Sequence, residues 1–336
     1  MESNKTLIRI SFILSGTLLT ALVFYLFTFS TYEEKENISH QRLFNENYQI
    51  YTLNLPGEID FAGEQVPVEL IDVAEKLDRE LLVNTYWQSN GFLLMKRANR
   101  WFPVIEPILK EEGVPSDFKY LALIESGLTQ IVSPAGATGF WQIMKTTGKE
   151  YGLQIDSQID ERYHVEKSTR VACAYLKDAK KKFGSWTLAG ASYNMGINGL
   201  RKQLEKQRVT SYYDLLLNSE TSRYLFRIVA LKYILNNPTH YGFNFRTQDL
   251  YPPIPTNEIT LDSSVSSFAF YSKQIGINYK VLKYFNPWLR QSYLKNASRK
   301  SFTIKIPTED FRSRLMLETP RFEIGTTINS DTLITK

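Results

Sequence analysis

Glu125 is the residue whose type and position most directly offer chemistry. The local order Pro115-Ser116-Asp117 predicts the start of a short helix, with Ser116 as its cap, and Gly127 predicts its end. Phe118, Leu121, Ala122 and Glu125 then follow the i, i+3, i+4, i+7 rule and share one face. A carboxyl on the apolar stripe, in the last turn where the helix dipole is negative, is expected to hold its proton to higher pH than an exposed one. Such a group can protonate a leaving oxygen as a general acid. On position alone, a buried glutamate satisfied by a neighbour fits equally.

The residues that follow narrow the choice. Glu125-Ser126-Gly127 is succeeded by Ser133-Pro-Ala-Gly136-Ala-Thr-Gly139-Phe140-Trp141-Gln142-Ile-Met144 and later by Ala191-Ser192-Tyr193-Asn194-Met195-Gly196. Together with Tyr120-Leu-Ala-Leu-Ile-Glu125 and Asp160-Glu-Arg162, these pieces resemble the catalytic domain of the soluble lytic transglycosylases, in the membrane-bound lytic murein transglycosylase D type. The resemblance runs from about Phe61 to Tyr241 and implies a goose-lysozyme-like helical fold. Any one piece is weak; their order is specific.

The resemblance implies roles for particular residues. Glu125 would be the catalytic acid/base, with Ser126 supporting it. Ser133 and Gln142 would contact the sugar and Met144 would pack beneath it. Tyr193 and Asn194 match the Tyr-Asn of a further family motif, whose phenol lies near the carboxylate. Glu220, in Glu220-Thr221-Ser-Arg223-Tyr224, would bring a second acidic group to the cleft. Each also has an ordinary reading: Trp141 and Met144 as core, Tyr193 as a hydrogen-bonded core phenol, Glu220 as a helix N-terminal charge. Met144-Lys145 stands where many relatives have Met-Pro, which bears on local cleft shape.

The implied reaction cleaves the β-1,4 bond between N-acetylmuramic acid and N-acetylglucosamine in peptidoglycan and leaves a 1,6-anhydro ring on the muramic residue. One carboxyl suffices if the substrate's own acetamido group stabilises the charge developing at C1. The alternatives are a hydrolytic muramidase on the same fold, which would need Glu220 or Glu161 to activate water, and a non-catalytic peptidoglycan-binding scaffold. No cofactor is implied. Three histidines without a metal-ligand spacing, and the lone Cys173, argue against a metal site, and Cys173 reads as a small buried hydrophobe. His164 reads as a helix-start or surface residue.

The elements that must position these residues can be outlined. Ile10 to Phe29 carries no charge and is long enough to cross ~30 Å of hydrocarbon. Lys5 and Arg9 before it, and Glu33, Glu34 and Glu36 after it, favour a cytoplasmic N-terminus and an exported body. Residues 1–35 are therefore expected to form a cytoplasmic tip and transmembrane anchor in the inner membrane, a cleaved signal peptide being the alternative. Residues 36–60 are expected to be a tether, 61–245 a mainly α-helical catalytic domain in the periplasm, and 246–336 a small α+β module. A helix from about Glu166 to Lys182, stopped by Gly184, is predicted inside the catalytic domain.

In the last segment, Ile259-Thr-Leu261 and Phe302-Thr-Ile-Lys-Ile306 read as strands around a helical middle from Ser267 to Phe285. That β-α-α-β order resembles a degenerate LysM, the matching pieces including Asn286-Pro287-Trp288-Leu289, and implies a glycan-binding or spacer module. Eight Lys or Arg and no Asp or Glu lie between Ser263 and Thr308, which suits an anionic polymer or a merely solvated face. The net charge of +5 over 336 residues suits an anionic partner in general, and export excludes cytosolic nucleic acid. Cell-wall synthesis or division proteins are open as partners.

Overall fold

The computed structural model describes residues 15–25, 38–39, 41–42, 45–46 and 50–308. The chain divides into two units, residues 1–53 and 54–336. In the first, residues 15–25 are helical and exposed. The remainder of the expected span from Ile10 to Phe29 lies outside the described residues. Among the described residues, no helix is long and apolar enough to cross a membrane.

The second unit is mainly helical, as expected. It opens on a hairpin, β1 (Asp60–Phe61) and β2 (Glu64–Gln65), whose turn residues Ala62 and Gly63 both have positive φ, as a tight hairpin turn requires. The hairpin touches three later elements. Ile59 and Phe61 are fully buried, so folded core is already present at the end of the stretch read as a tether. Phe61 meets the edge of Phe118 at 5.2 Å between ring centres, and Lys232 joins Asp60 (3.0 Å) to Asp117 (2.7 Å).

The helices follow as α1 (Ile71–Tyr86), α2 (Gln88–Glu111), α3 (Lys119–Ser126), α4 (Lys145–Glu150), α5 (Val165–Phe183), α6 (Trp186–Met195), α7 (Ile197–Gln207) and α8 (Ser219–Asn236). The glycine stops read from sequence act where expected, but Ser116, read as the cap of α3, lies inside the turn that precedes it and makes no capping bond. A single 3₁₀ turn at Ser116–Phe118 leads into α3, and Gly127 ends it at φ 58°. Gly184 ends α5 at φ 73°. Phe118, Leu121 and Ala122 are buried while Glu125, on the same face, is half-buried, which marks where the core gives way to an opening. The central element is α8, where Tyr224, Leu225, Phe226, Ile228, Val229, Ala230 and Leu231 are all buried. It packs on α1, α3 and α6. Glu80 of α1, 1% exposed, accepts from Arg223 (2.6 Å) and Arg79 (2.6 Å) and pins the first turns of α8.

Helix α6 carries Tyr193 and Asn194, and its own start is held from the hairpin. Glu64 accepts from Ser185 Oγ and Trp186 N (2.6 Å each) and from Thr187 N (2.9 Å). Burial pushes its carboxyl up, but the Ser185 hydroxyl and these two N–H groups outweigh that and bring it down to about 2. Its folded value lies below its ordinary 4.5, so the stability it adds is present above pH 4.5 and is lost as pH falls towards 2. Glu64→Gln is expected to cost about 1–2 kcal/mol at pH 7. Urea denaturation should show that gap at pH 7 and its narrowing as pH falls from 4.5 towards 2.

The last part is the β-α-α-β unit that the sequence predicts. β3 (Thr256–Leu261) pairs antiparallel with β4 (Phe302–Pro307), Thr256 opposite Pro307 and Leu261 opposite Phe302. Between them lie α9 (Phe268–Gln274), capped by Ser267, and α10 (Tyr279–Phe285), capped by Asn278. Buried Asn286 accepts from Lys305 N (2.9 Å) and donates to Lys305 O (2.8 Å), stitching the end of α10 to β4. The core of the unit is Leu261, Val265, Phe268, Leu282, Trp288, Leu289, Leu294, Phe302 and Ile304, and it is completed by Ile159 and Tyr163 from the preceding domain.

Candidate active site

Glu125 sits where α3 ends, beside the middle of α8. Tyr224 donates its phenolic hydrogen to Glu125 Oε1. Burial raises the Glu125 carboxyl above its ordinary 4.5 and the negative charge of Glu220 adds to this; the Tyr224 hydrogen bond and the Arg227 guanidinium work the other way, and burial wins. Arg227 also reaches the carbonyl of Ile124 at 3.4 Å. The carboxyl therefore carries its proton to higher pH than a free glutamate, while the groups that would receive its anion are already in place.

The loop after α3 is shaped by internal hydrogen bonds. Ser126 Oγ donates to Phe140 O (2.8 Å), with Ala122 O also in reach (3.2 Å), and ties the end of α3 to the loop. Val132, Thr138 and Ile143 form two isolated antiparallel bridges. Ser133 Oγ accepts from Ala137 N at 3.0 Å. Gly139 has φ 80°, and a Cβ there would lie 2.2 Å from Arg162 O, so no other residue fits without moving the main chain. Met144 is 42% exposed, together with Ile131 and Val132 on the same loop. Trp141 is core: it is fully buried and donates Nε1–H to Thr169 Oγ1 at 2.8 Å.

Two residues make contacts that the sequence does not suggest. Gln142 lies in the left-handed region at φ 46°, and its amide donates to Gly139 O (2.8 Å) and Ile131 O (3.2 Å), so its side chain shapes the loop and leaves the carbonyl oxygen as the atom able to meet a ligand. Tyr193 donates to Trp141 O at 2.8 Å rather than to Glu125. It is still close, since burial and the charge of Glu125 push its phenol well above the usual range. The phenol on the carboxylate is that of Tyr224, for which the sequence suggests no role. Its only sequence signal is its place one turn after Glu220.

The remaining expected residues gather at the starts and ends of neighbouring helices. Asn194 accepts from Thr221 Oγ1 at 2.9 Å, which joins the end of α6 to the first turn of α8. Glu220 is exposed in that first turn, close enough for its charge to be felt at Glu125. Glu161 is 4% exposed and accepts from Gln154 N (2.7 Å) and Lys167 Nζ (2.5 Å), so it is engaged in structure and turned away from solvent. Cys173 is fully buried, and burial pushes its thiol up to about 12. His164 precedes the first residue of α5, half-buried, between Glu166 (3.1 Å) and the Trp288 ring (5.9 Å), and makes no side-chain capping bond.

A half-buried, proton-holding glutamate thus lies between a buried phenol and a glycine-bent loop. Residues 102–215 match the transglycosylase SLT domain. Residues 257–310 match the C-terminal LysM-like domain of soluble lytic transglycosylases. The chain is 30% identical over 217 residues to the membrane-bound lytic murein transglycosylase D of Escherichia coli K12, covering 62% of this chain and 47% of that protein. It is 30% identical over 102 residues to a putative tributyltin chloride resistance protein of Alteromonas, covering 30% of this chain and 49% of that one. The chain thus spans about half the length of these relatives. Among solved structures, the 70 kDa soluble lytic transglycosylase of Escherichia coli is similar at 21% identity and a TM-score of 0.36, over 41% of this chain and 24% of that one. The matched stretch contains Glu125, the Ser133–Met144 loop, Tyr193 and Asn194; Glu220, Tyr224 and Arg227 follow it in the chain.

Proposed function

We propose that the protein is a peptidoglycan lytic transglycosylase that cuts between N-acetylmuramic acid and N-acetylglucosamine and leaves 1,6-anhydro ends. The observation that carries this reading is the opposed environment of Glu125. Burial favours its acid form, and Tyr224 with Arg227 favours its anion. One carboxyl can then serve both halves of the reaction. As the acid it protonates the glycosidic oxygen as the C1–O bond breaks, and the acetamido oxygen of the muramic residue stabilises the cationic C1. As the carboxylate it takes the proton of the C6 hydroxyl of the same sugar, whose oxygen bonds to C1. Glu125 ends protonated, and no water is consumed.

Ser133, the Gln142 carbonyl oxygen, Met144, Tyr193 and Asn194 are the residues assigned to the sugar in this reading. Glu220 tunes Glu125 by its charge. A hydrolytic muramidase would instead need a carboxylate to activate water, and Glu220 is the exposed candidate. Residues 10–29 are assigned to an inner-membrane anchor, with the lysozyme-like catalytic domain in the periplasm. Their uncharged length and basic N-terminal flank support that assignment.

Mass spectrometry of purified sacculi digested with the protein tests the reaction directly. Muropeptides one water lighter than the reducing forms are the expected product. Reducing ends would instead identify a hydrolase.

A further inference from the structure

We propose that the C-terminal module is a brace for the cleft loop, and that Arg162 is the positioning residue through which it acts. Neither a glycan tether nor a spacer describes how the module is attached. Residues 157–160 are added to it as an extra edge: Ile159 bridges Leu289, Asp160 N donates to Trp288 O (2.9 Å), and Arg290 N donates to Gln158 O (2.7 Å). Side chains extend the seam. Gln158 Oε1 accepts from Lys295 N (2.7 Å), Gln291 Nε2 donates to Ser157 O (3.0 Å), and Lys305 pairs with Glu166. The Arg290 guanidinium lies 4.0 Å over the Tyr163 ring. Trp288, the one tryptophan of the module, is 4% exposed and is spent on this seam and the module core.

The same short segment holds the cleft loop with its other side. The Asp160 carboxylate receives Arg162 Nε (3.0 Å) and Nη2 (2.7 Å) as a bidentate pair. Arg162 Nη1 then donates to Gly136 O (2.9 Å) and Ile143 O (3.2 Å), the two limbs of the loop that carries Gln142. Gln130 Nε2 adds a bond to Tyr163 O at 2.9 Å. Asp160 is the hinge of this arrangement: its N–H is bonded to the module and its carboxylate to the arginine that sets the loop. The guanidinium and the carboxylate are both close to fully buried, with side-chain exposures of 9% and 11%. A planar fork in that setting has one geometry, so a shift of residues 288–290 is passed to Gly136 and Ile143 with little slack.

The test is made on the full chain. The double variant Arg290→Ala/Lys305→Met removes the contacts to Tyr163 and Glu166 and leaves the apolar core of the module intact. Hydrogen exchange is expected to quicken about tenfold at the amides of Asp160 and Arg290 and also at Thr138, Gly139 and Ile143, with Val229 and Ala230 of α8 unchanged. Arg162→Lys keeps the charge but loses the fork, and should give the loop signature without loosening Arg290. Cleavage of saturating sacculi should fall about tenfold in both proteins while binding to sacculi persists. Faster exchange at the seam alone overturns the brace. So does an equal rise throughout α8, or a loss of sacculus binding with turnover of bound protein unchanged. The kinetic arm rests on the transglycosylase reading, whereas the exchange arm does not: a wild-type protein that makes no product refutes that reading, and exchange still decides the brace.

Discussion

Glu125→Gln is expected to lower cleavage of glycan strands by about 10²- to 10⁴-fold in turnover while leaving the protein at least as stable as before. Both halves of the proposed reaction move a proton through this one carboxyl, and an amide can neither give nor take it. Glutamine keeps the shape and can still accept from Tyr224 through its carbonyl oxygen, so binding should survive. Stability should move in the opposite direction from activity. The folded protein holds the Glu125 proton more tightly than the unfolded chain, whose value is near 4.5. The stability this lends is fully present below pH 4.5 and is lost as pH rises through the folded value. A glutamine has no such loss, so the variant should melt higher than wild type at pH 8 and show no such advantage near pH 4. Thermal melts at the two pH values, beside product analysis, check both. A variant that keeps a tenth or more of the activity would place the acid elsewhere. One that melts lower at pH 8 would mean that the carboxylate is a stabilising anion rather than a strained one.

Much of this arrangement is legible in the sequence because the devices that build it are local. Gly127 and Gly184 stop their helices in the left-handed region at the positions where the sequence predicts it. Glu125 is legible for the same reason: its place on an apolar helical face depends only on 3.6-residue periodicity. What is not legible depends on contacts far apart in the chain. Tyr224 lies 99 residues from Glu125 and reaches it only because α8 packs against α3, with its rotation fixed by Arg223 on the buried Glu80. Tyr193 has a motif around it, yet its hydroxyl is taken by a loop carbonyl 52 residues away. Gln142 reads as a polar side chain free for a ligand, and a positive φ turns its amide back on its own loop. The seam between Ile159 and Leu289 joins two irregular segments with no periodicity to reveal it.

Tyr224→Phe is expected to retain a folded cleft, to lower turnover by about 10- to 100-fold, and to move the descending limb of the pH–rate profile to higher pH. The size follows from the worth of a hydrogen bond to a charged group, about 1.5–3 kcal/mol, if that bond is made fully only when Glu125 is the anion. The direction follows from which form the bond favours. Tyr224 donates, so it stabilises the carboxylate and opposes the rise that burial causes. Without the hydroxyl, burial and the Glu220 charge act against Arg227 alone, and the proton is held to still higher pH. The acid needed for the first half is then available over a wider range, but the base needed for the second half is formed less readily, so the maximum falls as the limb moves. Phenylalanine fills the same buried volume, which separates this result from a packing defect; a defect would lower the rate without moving the limb. A limb that moves to lower pH would show that Tyr224 favours the acid form, and would make Arg227 the group that holds the anion during ring closure.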